Sequence, residues 1–113
     1  MEQIIELIKQ ACAYIKKLIV TVIEGCLNFA RNVVGWFKSL NLQQGRDVPF
    51  IANANQQVFN EMLQKAPVKD VGIFKGVYNE ETDEITHNEY IEADALDQRT
   101  QQVLGKEELV VLA

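Results

Sequence analysis

The sequence contains a single histidine, His87, and only two cysteines among its 113 residues. A metal site needs three or four suitable ligands, and two cysteines are too few for a disulfide scaffold. The glycine-rich phosphate loop, the dinucleotide-binding glycine pattern, the nucleophile elbow and the C-x-x-C pair are all absent from the sequence. We therefore predict no enzyme, no cofactor and no metal site.

His87 is the residue around which any Ser-His-Asp or Cys-His arrangement would have to be built. On a strand, its same-face neighbours at a spacing of two are Ile85, Glu89 and Ile91. One histidine beside one glutamate does not make a metal site. A surface or structural role is expected for His87.

Long hydrophobic runs are also missing. The most apolar stretch, LIVTVI at residues 18–23, is far shorter than the roughly 20 residues that a transmembrane helix requires. The chain opens with Glu2 and Glu6 rather than with a basic region, and no small-residue cleavage site follows a compact apolar run. We expect neither a membrane span nor a secretory signal, and a cytoplasmic location.

Charge is unevenly distributed along this chain of net charge −5. Residues 1–40 carry five positive and three negative side chains, whereas residues 41–113 carry six positive and thirteen negative ones. The acidic part opposes phosphate, so nucleic acid is not an expected partner. The eight carboxylates from Glu80 to Asp97 predict a solvated acidic face, or else a docking surface for a basic partner.

Residues 3–40 contain no proline, and their apolar residues recur every seven positions. Two columns at this spacing are apolar throughout, whereas the column that starts at Gln3 and ends at Lys38 is polar throughout. Gly25 and Gly35 oppose a helix, but the polar column keeps its phase across both. The pattern predicts one long amphipathic helix, about 57 Å in length if it is unbroken, with a kink at Gly25 left open.

Such a helix is longer than a globule of the remaining residues, which would be roughly 30 Å across. Its overhanging apolar stripe would need a cover: other copies of the chain, a different partner protein, or a bilayer surface. The predicted interface comprises the following residues: Ile5, Ile8, Cys12, Ile15, Ile19, Val22, Cys26, Phe29, Val33 and Trp36. The sequence thus favours a non-enzymatic assembly or interaction module, acting as a homo-oligomer or with a partner protein.

Peripheral membrane binding by the same helix is the alternative. Five basic residues lie beside the apolar face, and Trp36 and Phe37 are candidate interfacial anchors. The acidic remainder of the chain would be repelled by anionic headgroups. On a continuous helix, Cys12 and Cys26 lie about 21 Å apart, too far for a disulfide with each other.

Residues 41–113 predict a small α+β domain. Asn53 or Asn55 begins a helix that runs to about Lys65, and residues 71–78 and 85–93 form a β-hairpin. Asp94 caps a helix at 95–104 that stops at Gly105, and residues 109–112 form a final strand, buried on both faces or paired centrally. The overall prediction is α+β: a long N-terminal amphipathic helix at 1–40, then at 41–113 a small antiparallel sheet (hairpin plus C-terminal strand) with two short helices.

Overall fold

The computed structural model describes residues 2–15, 19–53, 71–107 and 109–112. Three short helices, one π-helical segment and seven strands make up this part of the chain. In chain order they are α1 (Glu2–Cys12), β1 (Val20–Val22), β2 (Cys26–Leu27), the π-helical segment (Phe29–Val34), α2 (Gly35–Lys38), β3 (Asp47–Asn53), β4 (Val71–Asn79), β5 (Glu84–Ala93), β6 (Ala95–Leu96), α3 (Gln98–Leu104) and β7 (Leu109–Val111).

Five of the strands form one mixed sheet in the order β1-β5-β4-β3-β7. The pairs β5–β4, β4–β3 and β3–β7 are antiparallel, whereas β1 runs parallel to β5. Next to this sheet, β2 and β6 form a second, two-residue parallel ladder. Strands from the first 40 residues therefore pair with strands from the end of the chain.

The sheet lies between two helical layers because its central strands are apolar on both faces. On one face, Phe50, Phe74 and Tyr90 pack against Ile8 and Cys12 of α1. On the opposite face, a second cluster joins the sheet to the π-helical segment and to α3; its buried members are Leu27, Phe29, Val33, Ile51, Ile73, Ile91, Ala93 and Leu104. The fold is α+β with helices on both sides of the sheet.

The prediction of one long helix over residues 3–40 is wrong. Helix α1 ends at Cys12, and the chain forms β1 eight residues later. The run Ile19–Ile23 is β-branched throughout, which favours a strand, and β5 offers it a hydrogen-bonding edge. Gly25 has φ +91°, a left-handed conformation that no continuous helix contains.

The seven-residue pattern also combined residues that the fold separates. Ile8 and Cys12 lie on the α1 face of the sheet, whereas Phe29 and Val33 lie on the opposite face. Each short element needs one apolar side, and several such elements in succession reproduced the spacing of a single helix.

Beyond residue 40, the predicted elements are closer to the structure. The hairpin is confirmed as β4 and β5, with a bulge after Val77. The predicted small antiparallel sheet is wrong, because the parallel strand β1 makes the sheet mixed and β7 lies at its edge rather than in its centre. The last helix is capped by Asp97 rather than Asp94 and ends at Gly105 as predicted, and the predicted helix between Asn53 and Lys65 falls outside the described residues apart from its first position.

Two glycines in β4 make room for aromatic rings of the neighbouring strands. A Cβ atom at Gly76 would lie 2.6 Å from Cζ of Phe50, and one at Gly72 would lie 2.6 Å from the hydroxyl of Tyr90. Each position therefore requires glycine because an aromatic side chain from β3 or β5 occupies the space beside it.

Candidate functional site

Strand β1 forms one edge of the five-stranded sheet. Its hydrogen bonds to β5 include Tyr90 N to Ile19 O at 2.8 Å and Ile23 N to Glu92 O at 2.9 Å. The Asn88 side chain extends this contact, because its Oδ1 accepts a bond from Ile19 N. Within the described ranges, no strand pairs with the outer side of β1.

The large apolar side chains that are exposed in the described part of the chain all lie between residues 7 and 22. Leu7 is on α1, Tyr14 follows α1, and Ile19 and Val22 are on or beside β1, with 50% and 47% of their surface accessible. Exposed apolar side chains beside an unpaired strand edge are typical of a contact surface. Ile19 and Val22, together with the outer side of β1, therefore form the candidate functional site.

The residues of the predicted interface do not form one face. Buried members are Ile8, Cys12, Phe29 and Val33; half-buried members are Ile5, Ile15 and Trp36; exposed members are Ile19, Val22 and Cys26. Of these, the structure brings Ile19 and Val22 together at β1. The candidate anchors Trp36 and Phe37 are both half-buried, and their rings contact each other at 4.9 Å between centroids.

A buried charged cluster lies on the face of the sheet that packs against the π-helical segment and α3. Lys75 of β4 is 1% exposed, and its Nζ lies 2.5 Å from Oε1 of Glu89 on β5. The same ammonium group donates to the carbonyl oxygen of Asn32 at 2.6 Å and lies 4.3 Å from the centroid of the Trp36 ring. Thr21 of β1 completes the cluster by donating from its hydroxyl to Oε2 of Glu89 at 2.9 Å.

This arrangement ties elements together rather than presenting a reactive group. Burial lowers the pKa of Lys75, while the hydrogen bond and charge of Glu89 act in the opposite direction. The ammonium is enclosed by a carboxylate, a carbonyl and an aromatic face, so its donors are already directed at protein groups. The cluster links β4, β5, β1 and the helical layer that contains Asn32 and Trp36.

Asp97 has a similar linking role on the same face. Its Oδ1 accepts bonds from the backbone N and the hydroxyl of Thr100, and its Oδ2 accepts a bond from Phe29 N at 2.8 Å. One carboxylate therefore caps α3 and also satisfies the first amide of the π-helical segment. Burial alone would raise the pKa of Asp97, but these bonds and the nearby Arg99 lower it overall.

The remaining reactive side chains are dispersed. His87 is exposed and contacts the Thr86 hydroxyl through Nδ1. Both cysteines are free; Cys12 is buried, which raises the pKa of its thiol to about 12, whereas Cys26 is exposed. Among the described residues, no three histidine, cysteine or acidic side chains are grouped so that they could hold a metal ion, and none of the helices has the length and apolar character to cross a bilayer.

Sequence reasoning missed the Lys75 cluster, although a signal was present. Lys75 lies between Ile73 and Val77 on the same face of a strand that is otherwise apolar. A lysine at such a position is buried with its neighbours and requires a counter-charge. Glu89 lies directly opposite on β5, a pairing that follows once the hairpin register is known.

Comparison with known proteins provides no relative from which a role could be carried over. No family model, curated protein or solved structure matches this chain. The functional conclusion therefore depends on the geometry of the candidate site itself.

Proposed function

We propose that the protein is a non-enzymatic self-association module in which β1 pairs with β1 of a second copy. The observation that carries the proposal is that no strand of the described residues pairs with the outer side of β1. The sequence already favoured assembly through the N-terminal segment; the proposal moves the contact from a continuous helix to this strand. A cytoplasmic location forms part of the proposal and is supported by the two free cysteines.

Alternate backbone groups of β1 are directed toward its outer side. Ile19 and Ile23 direct their bonding groups toward β5. In a parallel pair, alternate residues bond to the same neighbour. Val20 and Val22 consequently direct their N–H and C=O groups away from β5, toward the outer side.

The side chains favour occupation of this edge. Residues 19–23 read IVTVI, and all five are β-branched: Ile19, Val20, Thr21, Val22 and Ile23. Natural sheet edges are usually protected by a charged residue, a proline or a bulge. This run contains no charged residue and no proline, so nothing in its sequence opposes strand addition.

Antiparallel pairing about a two-fold axis at Thr21 satisfies both outward-facing residues. Val20 of each copy then faces Val22 of the other, and each such pair exchanges two backbone hydrogen bonds. The flanking charges agree with this direction, because Lys16 and Lys17 precede the run and Glu24 follows it. The exposed Val22 side chain would be covered by Val20 of the other copy, in a continuous ten-stranded sheet.

The experiment measures the absolute mass of the full chain by light scattering after gel filtration over a range of concentrations. We expect wild type and Val22→Thr to approach twice the chain mass of 12.8 kDa as concentration rises. Val22→Lys should remain monomeric and folded, since the exposed side chain leaves room for a lysine in the monomer but two lysines would face the apolar edge in the dimer.

Leu7→Lys is the matched control, because it makes the same change at an exposed apolar side chain that lies on α1 rather than on β1. It should dimerise as wild type does. A wild-type chain that stays monomeric at millimolar concentration contradicts the proposal, and so does a Val22→Lys variant that dimerises with unchanged affinity.

A further inference from the structure

A cavity of about 590 Å³ lies where the end of α1 meets the turn between β4 and β5. This volume is within the range of small-molecule sites. Its lining residues are Ala11, Tyr14, Ile15, Asp83, Glu84, Ile85 and Asn88. The cavity is separate from the outward-facing groups of β1 on which the self-association proposal depends.

The lining is divided between apolar and acidic groups. Ala11, Ile15 and Ile85 provide an aliphatic part, and all three belong to or pack against the core on the α1 face. Asp83 and Glu84 provide two adjacent carboxylates at the hairpin turn. Tyr14 adds an aromatic ring that is 82% exposed and therefore accessible to a ligand.

The Asp83 carboxylate is held in place, and neither carboxylate forms an ion pair with a cationic side chain of the described residues. Asp83 has φ 56° at the turn, and it accepts a hydrogen bond from the Tyr78 hydroxyl. Tyr78 is itself 1% exposed, so this bond fixes the carboxylate to the core. Glu84 is exposed and begins β5, which fixes its backbone beside Asp83.

We propose that this cavity binds a small primary aliphatic ammonium ion. The alkyl chain lies against Ala11, Ile15 and Ile85, and the ammonium group lies between the two carboxylates. A cation matches both the local charge and the net charge of −5, whereas a carboxylate or phosphate ligand would meet two negative side chains. The accessible Tyr14 ring offers a further favourable surface for a cation.

The experiment titrates the full-length protein with hexylammonium chloride and follows the backbone amide NMR signals of Ala11, Ile85 and Asn88. Hexan-1-ol and hexanoate, which have the same alkyl length with a neutral or an anionic head, are titrated in parallel. We expect saturable shifts with hexylammonium and weaker binding as salt rises. Hexan-1-ol should bind more weakly and hexanoate should not bind.

Matched variants separate the two carboxylates from the general acidity of the turn. Glu84→Gln should weaken hexylammonium binding about threefold, and Asp83→Asn together with Glu84→Gln about tenfold. Asparagine tolerates the positive φ at residue 83 and keeps an oxygen that can accept from Tyr78. Glu81→Gln removes the same charge from the same turn, outside the cavity lining, and should leave the affinity unchanged.

Three outcomes would overturn the proposal. Hexan-1-ol binding as tightly as hexylammonium would mean that only the apolar lining is recognised. Equal losses in Glu81→Gln and Glu84→Gln would mean that the turn attracts cations without a site. Unshifted amide signals at Ala11, Ile85 and Asn88 would mean that the cavity is not occupied at all. Each of these outcomes leaves the dimer test at β1 unaffected, because that test requires no ligand.

Discussion

Replacing Cys12 by alanine should reduce the loss of stability that the protein undergoes at high pH. Cys12 is 1% exposed in the core between α1 and the sheet, and burial raises the pKa of its thiol from 9.0 to about 12. Above pH 9 the unfolded chain releases this proton while the folded chain retains it. The folded state then binds more protons than the unfolded state, so the free energy of unfolding falls as pH rises between these two pKa values.

The magnitude follows from the two pKa values. Each pH unit in this window lowers the free energy of unfolding by about 1.4 kcal/mol. Between neutral pH and about pH 10.5, the contribution of Cys12 sums to about 2 kcal/mol. Tyr90, whose pKa burial raises to about 12, acts in the same direction, whereas Lys75, whose pKa burial lowers, acts in the opposite direction.

The assay is urea unfolding of wild type and Cys12→Ala under reducing conditions, at neutral pH and at about pH 10.5. Alanine creates a small cavity and lowers stability at both pH values, but the pH-dependent loss should be about 2 kcal/mol smaller in the variant. The contributions of Tyr90 and Lys75 cancel in this double difference. Cys26→Ala, which removes an exposed thiol, should behave as wild type, and an equal pH-dependent loss in all three proteins would refute the reasoning.

Two further predictions concern the sheet. Gly76→Ala should lower stability by about 2 kcal/mol, because the new methyl group would lie 2.6 Å from the Phe50 ring; combined with Phe50→Leu, the loss should be smaller than the sum of the two single losses in thermal unfolding, and strict additivity would contradict the close contact. Glu89→Ala should cost about 3 kcal/mol because it leaves Lys75 buried without its counter-charge, whereas Lys75→Met should cost less than about 1.5 kcal/mol. Urea unfolding checks this order, and the reverse order would show that the ion pair is not what holds the cluster.

The parts of the fold that sequence reasoning predicted correctly are those governed by local signals. The alternation of apolar and polar residues on either side of a polar turn predicted the hairpin, and Gly105 predicted the end of α3. Asp94 and Asp97 both have the chemistry of a helix cap. The structure selects Asp97 because Asp94 instead accepts a bond from Gly25 N and lies beside β2, a contact between distant parts of the chain.

The prediction of one long helix was wrong for the same reason, because a contact between distant parts of the chain decides the structure of this segment. A run such as Ile19–Ile23 has no fixed structure of its own, and its β-branched residues become a strand when an edge is available. That edge is β5, about seventy residues further along the chain. The spacing of the apolar residues indicates which of them are buried. It does not indicate that Ile8 and Phe29 are buried on opposite faces of one sheet.

The parallel pairing of β1 with β5 and of β2 with β6 has a consequence for the order of folding. The hairpin of β4 and β5 closes over a short turn and can form early, whereas β1 must wait for a partner 69 residues away in sequence. At about 5–20 residues per second, a ribosome needs roughly 4–14 s to synthesise the intervening chain. During that interval the apolar run at residues 19–23 has no native strand beside it, so it is exposed to aggregation in the nascent chain. The β1 edge becomes available for specific association only once β5 has been made.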